Sequence, residues 1–297
     1  MHVPIIDVAA LRNDPEGSIA GECITAIDAA CVESGFFVIT GHGVDEPLQA
    51  VFAAAHAFFA EPLDVKMHVA MVGNDGFVPI GTAPLDPAMG PETKERLDLG
   101  LGASTRWPTL QGFRDAVLDY QRAALALADD LLRALAVALD IGSSFFAHRM
   151  QSPQCFLRMM HYPPVPLGTA STPLAAGPHT DYGAITLLAT DGVPGLEVRP
   201  IGGDWTPVVA PPGSFIINLG DMLARWTNQR YVSTVHRVVA QPAQHRYSVP
   251  FFINPDPDTE VACLPSCVST ERPCRYEPIS AGRFLQARID GTILTDA

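Results

Sequence analysis

The segments SFIINLGD (214–221), VHRVVA (235–240) and RYSVPFFIN (246–254) decide the architecture of this chain. Each is a short run of β-branched and aromatic residues, closed by Gly-Asp, Gln-Pro or Asn-Pro. Such runs read as strands bounded by turns. Toward the N-terminus, WTPVVAP (205–211), GLEVRP (195–200), AITLLAT (184–190) and CFLRMMHYPP (155–164) repeat the pattern. Short strands in close succession indicate a β-sandwich or barrel.

Before about residue 150 the texture is different. ITAIDAACVESG carries apolar residues at Ile24, Ile27, Ala30 and Cys31, a helical spacing that Gly35 ends. A second helix is predicted from Pro47 to Pro62, and the longest from Phe113 to Leu139 with Gly142 as its stop. VPIID and FFVIT read as short strands among them. Residues 1–150 are therefore expected to form a mostly helical region packed on the outside of a β core spanning 151–297. No repeat or polar linker separates the two.

The chain has 297 residues, 47% of them hydrophobic and 17% charged, enough to bury a large core. Its net charge of -13 disfavours binding to nucleic acid or anionic lipid, which need cationic surface. A small molecule is the expected partner, with no obligate protein partner. The most aliphatic stretch, ALALADDLLRALAVALDI (124–141), contains Asp129, Asp130 and Arg133, so it reads as an amphipathic helix and no membrane span. The opening MHVPIIDVAALRNDPEG lacks the basic and apolar blocks of a secretory signal. A cytoplasmic location is expected. Cys263, Cys267 and Cys274 lie near one another, but their spacing matches no CxxC-type zinc pattern and they read as ordinary thiols.

The chemistry concentrates in GPHTDYGAITLL (177–188) and STVHRVV (233–239). His179 and Asp181, two apart, share a side of an extended segment because side chains alternate. His236 lies in a second strand. Two imidazoles and one carboxylate on one face of an octahedron suit non-haem iron(II), leaving three positions open. An HxD alone is a weak signal. RYSVPFFIN strengthens it, because Arg246, Ser248, Pro250, Phe252 and Asn254 share one face of their strand. Arg and Ser aimed into an apolar barrel are costly unless an anion meets them. A guanidinium gripping a carboxylate in two places answers that cost, with the hydroxyl as a further donor.

The chain resembles the isopenicillin N synthase-like branch of the 2-oxoglutarate/iron(II)-dependent dioxygenases. The likeness runs through VPIIDVAAL, GFFVITGHGV and FFAEPLDVKM, then HTDYGAITLL, VPGLEV, W-x-PV, FIINLGDML, RWTNQRYVSTVHRV and RYSVPFF, in the family's order. It implies an α+β fold, a double-stranded β-helix (jelly-roll) core flanked by helices. It implies iron ligands at His179, Asp181 and His236, with iron(II), 2-oxoglutarate and dioxygen as the cofactor and co-substrates. It further implies that Arg246 and Ser248 bind the distal carboxylate of 2-oxoglutarate, helped by Tyr162. Relatives commonly carry Asn two residues before that Tyr; this chain has Met160.

Around this centre, Arg158 shares a side with Met160 and Tyr162. It is either an anchor for an anionic substrate or one half of a salt bridge at the barrel's edge. Phe252 and Asn254 are expected to line the substrate site, and the resemblance adds Phe77. His42 reads as a turn residue, while His161 and Arg237 should point away from the pocket. Trp226 and Asn228 should fix the segment leading to His236, and Asn218 and Asp221 read as turn formers. The expected reaction is hydroxylation, desaturation or ring closure of a small anionic molecule. Two alternatives stay open: an iron(II) oxidase that does not consume 2-oxoglutarate, and a non-catalytic jelly-roll metal-binding protein. Co-substrate dependence and iron(II) binding would separate them.

Overall fold

The computed structural model describes residues 3–82, 93–164, 174–241 and 244–291. The first half runs β1 (Ile5–Asp7), α1 (Ala9–Asn13), α2 (Ser18–Glu33), β2 (Phe36–Thr40), α3 (Asp45–Ala60), α4 (Leu63–Lys66), β3 (Gly76–Val78), β4 (Glu95–Leu99) and α5 (Phe113–Ala138). The second half is mostly strand: β5 (Gln154–Tyr162), β6 (Leu174–His179), β7 (Ile185–Thr190), β8 (Leu196–Arg199), β9 (Thr206–Pro207) and β10 (Phe215–Leu219). It continues with α6 (Asp221–Trp226), β11 (Val235–Val239), β12 (Arg246–Asn254), β13 (Glu260–Val261), β14 (Ile279–Ser280) and α7 (Ala281–Ile289). The predicted helices and strands are present. Helices α1, α4, α6 and α7 and strands β3, β4, β13 and β14 were not anticipated, being short segments without a long periodic pattern.

Eight strands form the major sheet in the order β1-β2-β10-β7-β12-β5-β4-β3, and four form the minor sheet β6-β11-β8-β9. Every pairing is antiparallel except β1 with β2. The N-terminal half thus does more than pack outside the barrel: four of its strands extend the major sheet. No helix among the described residues is long and apolar enough to cross a membrane.

Strand alternation divides the major sheet between two cores. Phe37, Ile39, Phe215, Ile217, Leu187, Val249, Phe251, Leu157 and Met159 pack outward under α2, α3 and α5. Phe36, Val38, Ile216, Leu188 and Tyr162 point inward, meeting Ala176, Val198 and Val238 of the minor sheet. Both faces of the central strands are buried, which explains runs such as FFVIT and FIINL that show no polar alternation.

The same alternation corrects one expectation. Phe77 pairs in register with Leu97 and lies in the outward core beside Phe58, with Lys66 over its ring at 5.3 Å. It faces the helices and does not line the barrel interior.

The outward face also buries charge. Glu95 accepts from Lys66 Nζ at 2.7 Å through Oε2 and pairs with His161 Nδ1 at 2.8 Å through Oε1. Burial alone would raise its carboxyl, but His161 and Lys66 outweigh it and hold Glu95 below the ordinary glutamate value. A carboxylate lowered by folding adds stability above its unfolded pKa and loses that contribution as pH falls through the folded one. Glu95→Ala should cost about 3 kcal/mol at neutral pH, because Lys66 is left buried and unneutralised. Urea midpoints would read this, with the gap closing as pH falls through the lowered Glu95 value; equal midpoints at neutral pH would contradict it.

Candidate metal centre and carboxylate receptor

The site lies inside the barrel, where β6 ends. His179, its last residue, is the register partner of His236 on β11, so backbone pairing sets the two imidazoles side by side. Their ring centroids are 4.3 Å apart, and Phe36 meets His236 edge-on at 5.4 Å. Each ring is anchored at Nδ1 to the carbonyl two residues earlier: His179 to Gly177 O at 2.8 Å, His236 to Thr234 O at 3.1 Å. With Nδ1 as donor, Nε2 keeps its lone pair for a metal. Burial, and then the neighbouring His236, push the His179 imidazolium down to about 4, so the ring is neutral at physiological pH.

Asp181 follows β6 in a tight bend. Its Oδ2 accepts from Thr186 Oγ1 and Asn218 Nδ2, both at 2.6 Å, while Oδ1 stands 3.7 Å from His236 Nε2. Burial by itself would raise this carboxyl; His236 and His179, then Thr186 and Asn218, overcome it and the net direction is down. One oxygen is fully engaged and the other faces the imidazoles. One donor atom from each of the three residues lies within 4.8 Å of the others. Two imidazoles and one carboxylate at this separation are a donor set suited to a divalent first-row metal.

Asn218 was read from sequence as a turn former; it instead orients the Asp181 carboxylate. Its alternating position on β10, opposite Thr186 on β7, carries it inward. Removing such a support costs roughly 10–100-fold in metal affinity. Asn218→Ala should therefore weaken iron(II) binding by about that range while the fold is retained, measured by anaerobic titration.

Asn254 is likewise committed to the backbone. It accepts from Ala184 N at 3.0 Å and donates to Gln154 O at 3.1 Å, which clamps the bend carrying Asp181. A Cβ on Gly183 would fall 1.9 Å from Asn254 Oδ1, so the approach requires glycine there. Asn254's polar atoms thus hold the bend, and it is no free donor lining the substrate site.

Deeper along β12 the inward residues are Arg246 and Ser248, 2% and 1% exposed. Arg246 Nε donates to Val193 O at 3.2 Å and the guanidinium lies 4.9 Å from the Tyr162 ring centre. Arg246 Nη1 and Ser248 Oγ have no hydrogen-bond partner, and among the described residues no carboxylate pairs with Arg246. A buried cation and hydroxyl left unmatched form a receptor for a carboxylate. Tyr162, the register partner of Arg246, sends its hydroxyl to Met160 Sδ at 3.1 Å. The methionine that stands in place of the common asparagine has taken the phenol.

At the inner edge of β4 and β5, Arg158 resolves as a salt bridge. Its Nε and Nη2 reach Asp98 at 2.7 and 3.0 Å, and Asp98 also takes Arg96 Nε at 3.0 Å. Phe156 and Phe252 flank the Arg158 guanidinium at 5.4 and 5.9 Å. Arg96 and Asp98 escaped the sequence reading, because the single strand ERLDL shows no sign that its polar residues face Arg158 sixty positions away. His161 and Arg237 point away from the centre as expected, to Glu95 and to Glu197. His42 serves as a turn latch, bonded to Gly213 O and Val44 N. Trp226 is buried, and Asn228 Nδ2 ties the segment before β11 to Cys267 O and Pro273 O.

Residues 153–255 match the 2OG-Fe(II) oxygenase superfamily, and residues 3–114 match the N-terminal region of the non-haem dioxygenases in morphine synthesis. The 2-oxoglutarate-Fe(II) type oxidoreductase hxnY of Emericella nidulans is 34% identical, over 93% of this chain and 86% of its own length. The 2-oxoglutarate-dependent dioxygenase citB of Monascus ruber is 36% identical, over 85% and 84%. Among solved structures, a full-length Neurospora crassa protein in complex with alpha-KG and thymine superposes with a TM-score of 0.88 at 28% identity, covering 98% of this chain and 97% of that one. The interior of the barrel and these likenesses agree: the chain belongs to the 2-oxoglutarate-dependent iron(II) oxygenase superfamily.

Proposed function

We propose that His179, Asp181 and His236 hold iron(II), that Arg246 and Ser248 receive the distal carboxylate of 2-oxoglutarate, and that the substrate is a small carboxylic acid. The first two assignments rest chiefly on one observation: a buried guanidinium nitrogen, Arg246 Nη1, and a buried hydroxyl, Ser248 Oγ, without partners, in the same barrel as two imidazoles and an oriented carboxylate. When bound, iron(II) with 2-oxoglutarate and dioxygen supplies the oxidising power that removes hydrogen from a substrate carbon, with succinate and carbon dioxide as co-products.

The chain's own residues supply position and surroundings. Gly177 O and Thr234 O fix the imidazole tautomers, and Thr186 with Asn218 aims Asp181. Tyr162 offers its ring as a platform beneath Arg246. Phe36, Leu188, Ile216, Val198 and Val238 make the wall apolar, which limits water and side oxidation.

The substrate class is argued from Arg96, Asp98 and Arg158. One carboxylate between two guanidiniums leaves a surplus positive charge, in a protein whose net charge is -13. Arg158 keeps 27% of its side chain exposed, with Phe252 beside it to take an apolar portion of the ligand. An organic carboxylate would neutralise the surplus. The experiment is a panel of small acids and their uncharged amides, scored by substrate-stimulated succinate release. Acids should stimulate, and Arg158→Ala should lower kcat/KM for them by about 30-fold, roughly 2 kcal/mol, without altering the 2-oxoglutarate requirement. Amides serving as well as acids would overturn the substrate class. No stimulated succinate from any compound would count against the oxygenase assignment of the site itself.

A further inference from the structure

We propose that Cys263 and Cys274 form a peroxide-sensitive dithiol that closes reversibly into an intramolecular disulfide. The two residues stand in the connection between β13 and β14, outside both sheets of the barrel. Both sulfurs address one backbone oxygen, Tyr276 O, at 3.9 Å for Cys263 Sγ and 3.3 Å for Cys274 Sγ. Cys263 Sγ also lies 3.6 Å from Asn228 Oδ1, the atom that accepts from the backbone N–H of Arg275, next to Cys274. Little chain movement is then needed to join them, because the loop between is already held. Asn228 Nδ2 binds Cys267 O, Arg272 O and Pro273 O at 3.2, 3.5 and 3.1 Å, and Asn228 Oδ1 accepts from Arg275 N at 3.2 Å. Within the loop, Ser269 N donates to Arg272 O and Arg272 N to Ser269 Oγ.

The pair is asymmetric in the way a peroxide-sensing pair needs to be. Cys274 is exposed; Cys263 is half-buried. The Cys263 thiol, followed by the backbone at Tyr276, holds Cys274 below the ordinary thiol value, whereas burial raises Cys263. The remaining cysteines are poorly suited to attack. Cys23 and Cys155 are pushed up to about 11 and about 12 by burial, and Cys31 and Cys267 are buried and also raised.

The chemistry balances with hydrogen peroxide as oxidant. The Cys274 thiolate attacks one peroxide oxygen, forming an S–O bond as the O–O bond breaks, and the departing hydroxide takes up a proton to become water. The Cys263 thiol then attacks the sulfenic sulfur. The S–S bond forms, the S–O bond breaks, and hydroxide leaves with the Cys263 proton as a second water. Two thiols lose two electrons and one peroxide gains them. A small dithiol reverses the bridge by exchange. Oxidation would staple the loop against Asn228, the left-handed residue (φ 51°) that links α6 to the segment leading into β11.

The test uses the full chain, chelated free of redox-active metal so that peroxide meets only thiols. After mild hydrogen peroxide, alkylation and denaturation, cleavage behind Glu260 and Glu271 puts Cys274 on peptide 272–297, because the Glu277–Pro278 bond resists cleavage, and Cys263 with Cys267 on peptide 261–271. The expected product is the two peptides joined, lighter than their sum by two hydrogens and separated by dithiothreitol. Fragment ions should place the link on Cys263. The link should persist in Cys267→Ser and vanish in Cys263→Ser. Unlinked peptides carrying free thiols or a Cys274 sulfinate, or a link that follows Cys267, would overturn the proposal. The fragment-ion assignment in the unsubstituted chain stands even if a variant fails to fold.

Discussion

Asp181→Ala is expected to abolish substrate-coupled succinate formation, a loss of more than about 1000-fold, equivalent to several kcal/mol of stabilisation from metal and ligand. The side chain contributes the only carboxylate of the three-residue cluster, and its Oδ2 also occupies Thr186 and Asn218. Truncation removes the anionic ligand and leaves an inward hydroxyl and amide without an acceptor. Two buried imidazoles alone then face a cation that has lost its charge partner. The measurement is iron(II) retained per chain after anaerobic loading and gel filtration, alongside succinate. Asn218→Ala is the graded comparison, since it disturbs the orientation of the ligand and leaves the ligand in place. An Asp181→Ala protein that keeps both iron and coupled turnover would dismiss the centre.

Arg246→Ala should raise the 2-oxoglutarate requirement by about 100-fold, the order of loss when one side of a buried, charge-assisted pair is removed. The variant carries a second, less intuitive expectation. A buried guanidinium with an unpartnered Nη1 is a cost to the co-substrate-free fold, so its removal should leave Tm unchanged or higher despite losing the bond to Val193 O. The increase in Tm that 2-oxoglutarate produces in the parent protein by binding the native state should disappear. Arg246→Lys should not rescue, because a point charge cannot reproduce the planar fork. A variant that is destabilised without ligand, yet keeps its 2-oxoglutarate dependence, would show that Arg246 is a structural residue.

Much of this site was legible from local periodicity. His179 and Asp181 two apart, and Arg246 and Ser248 two apart, had to share a face wherever the chain was extended, because the alternation of a strand is a property of its own backbone. The inward direction of Arg246 followed from its apolar neighbours. Other features were not legible for a common reason. Whether Arg158 met a substrate or a carboxylate depended on β4, whose Asp98 is brought opposite it only by strand pairing. Asn218 looked like a turn residue because nothing nearby in sequence announces that Thr186 and Asp181 converge on it. Phe77 was assigned by resemblance; its register with Leu97 sends it to the opposite face. Asn254 did share the Arg246 face, but the bend at Gly183 came close enough to claim its amide.

From sequence alone, then, came the longer elements and the face that His179 shares with Asp181 and Arg246 with Ser248, since backbone geometry and hydrophobic burial act over a few neighbouring positions. Tertiary structure decided which of those residues meet. Register between strands far apart in the chain set His236 beside His179, gave Arg158 its carboxylate and left Arg246 without one. That pairing is fixed by the simultaneous burial of two cores on either face of the major sheet, a constraint that no single segment contains.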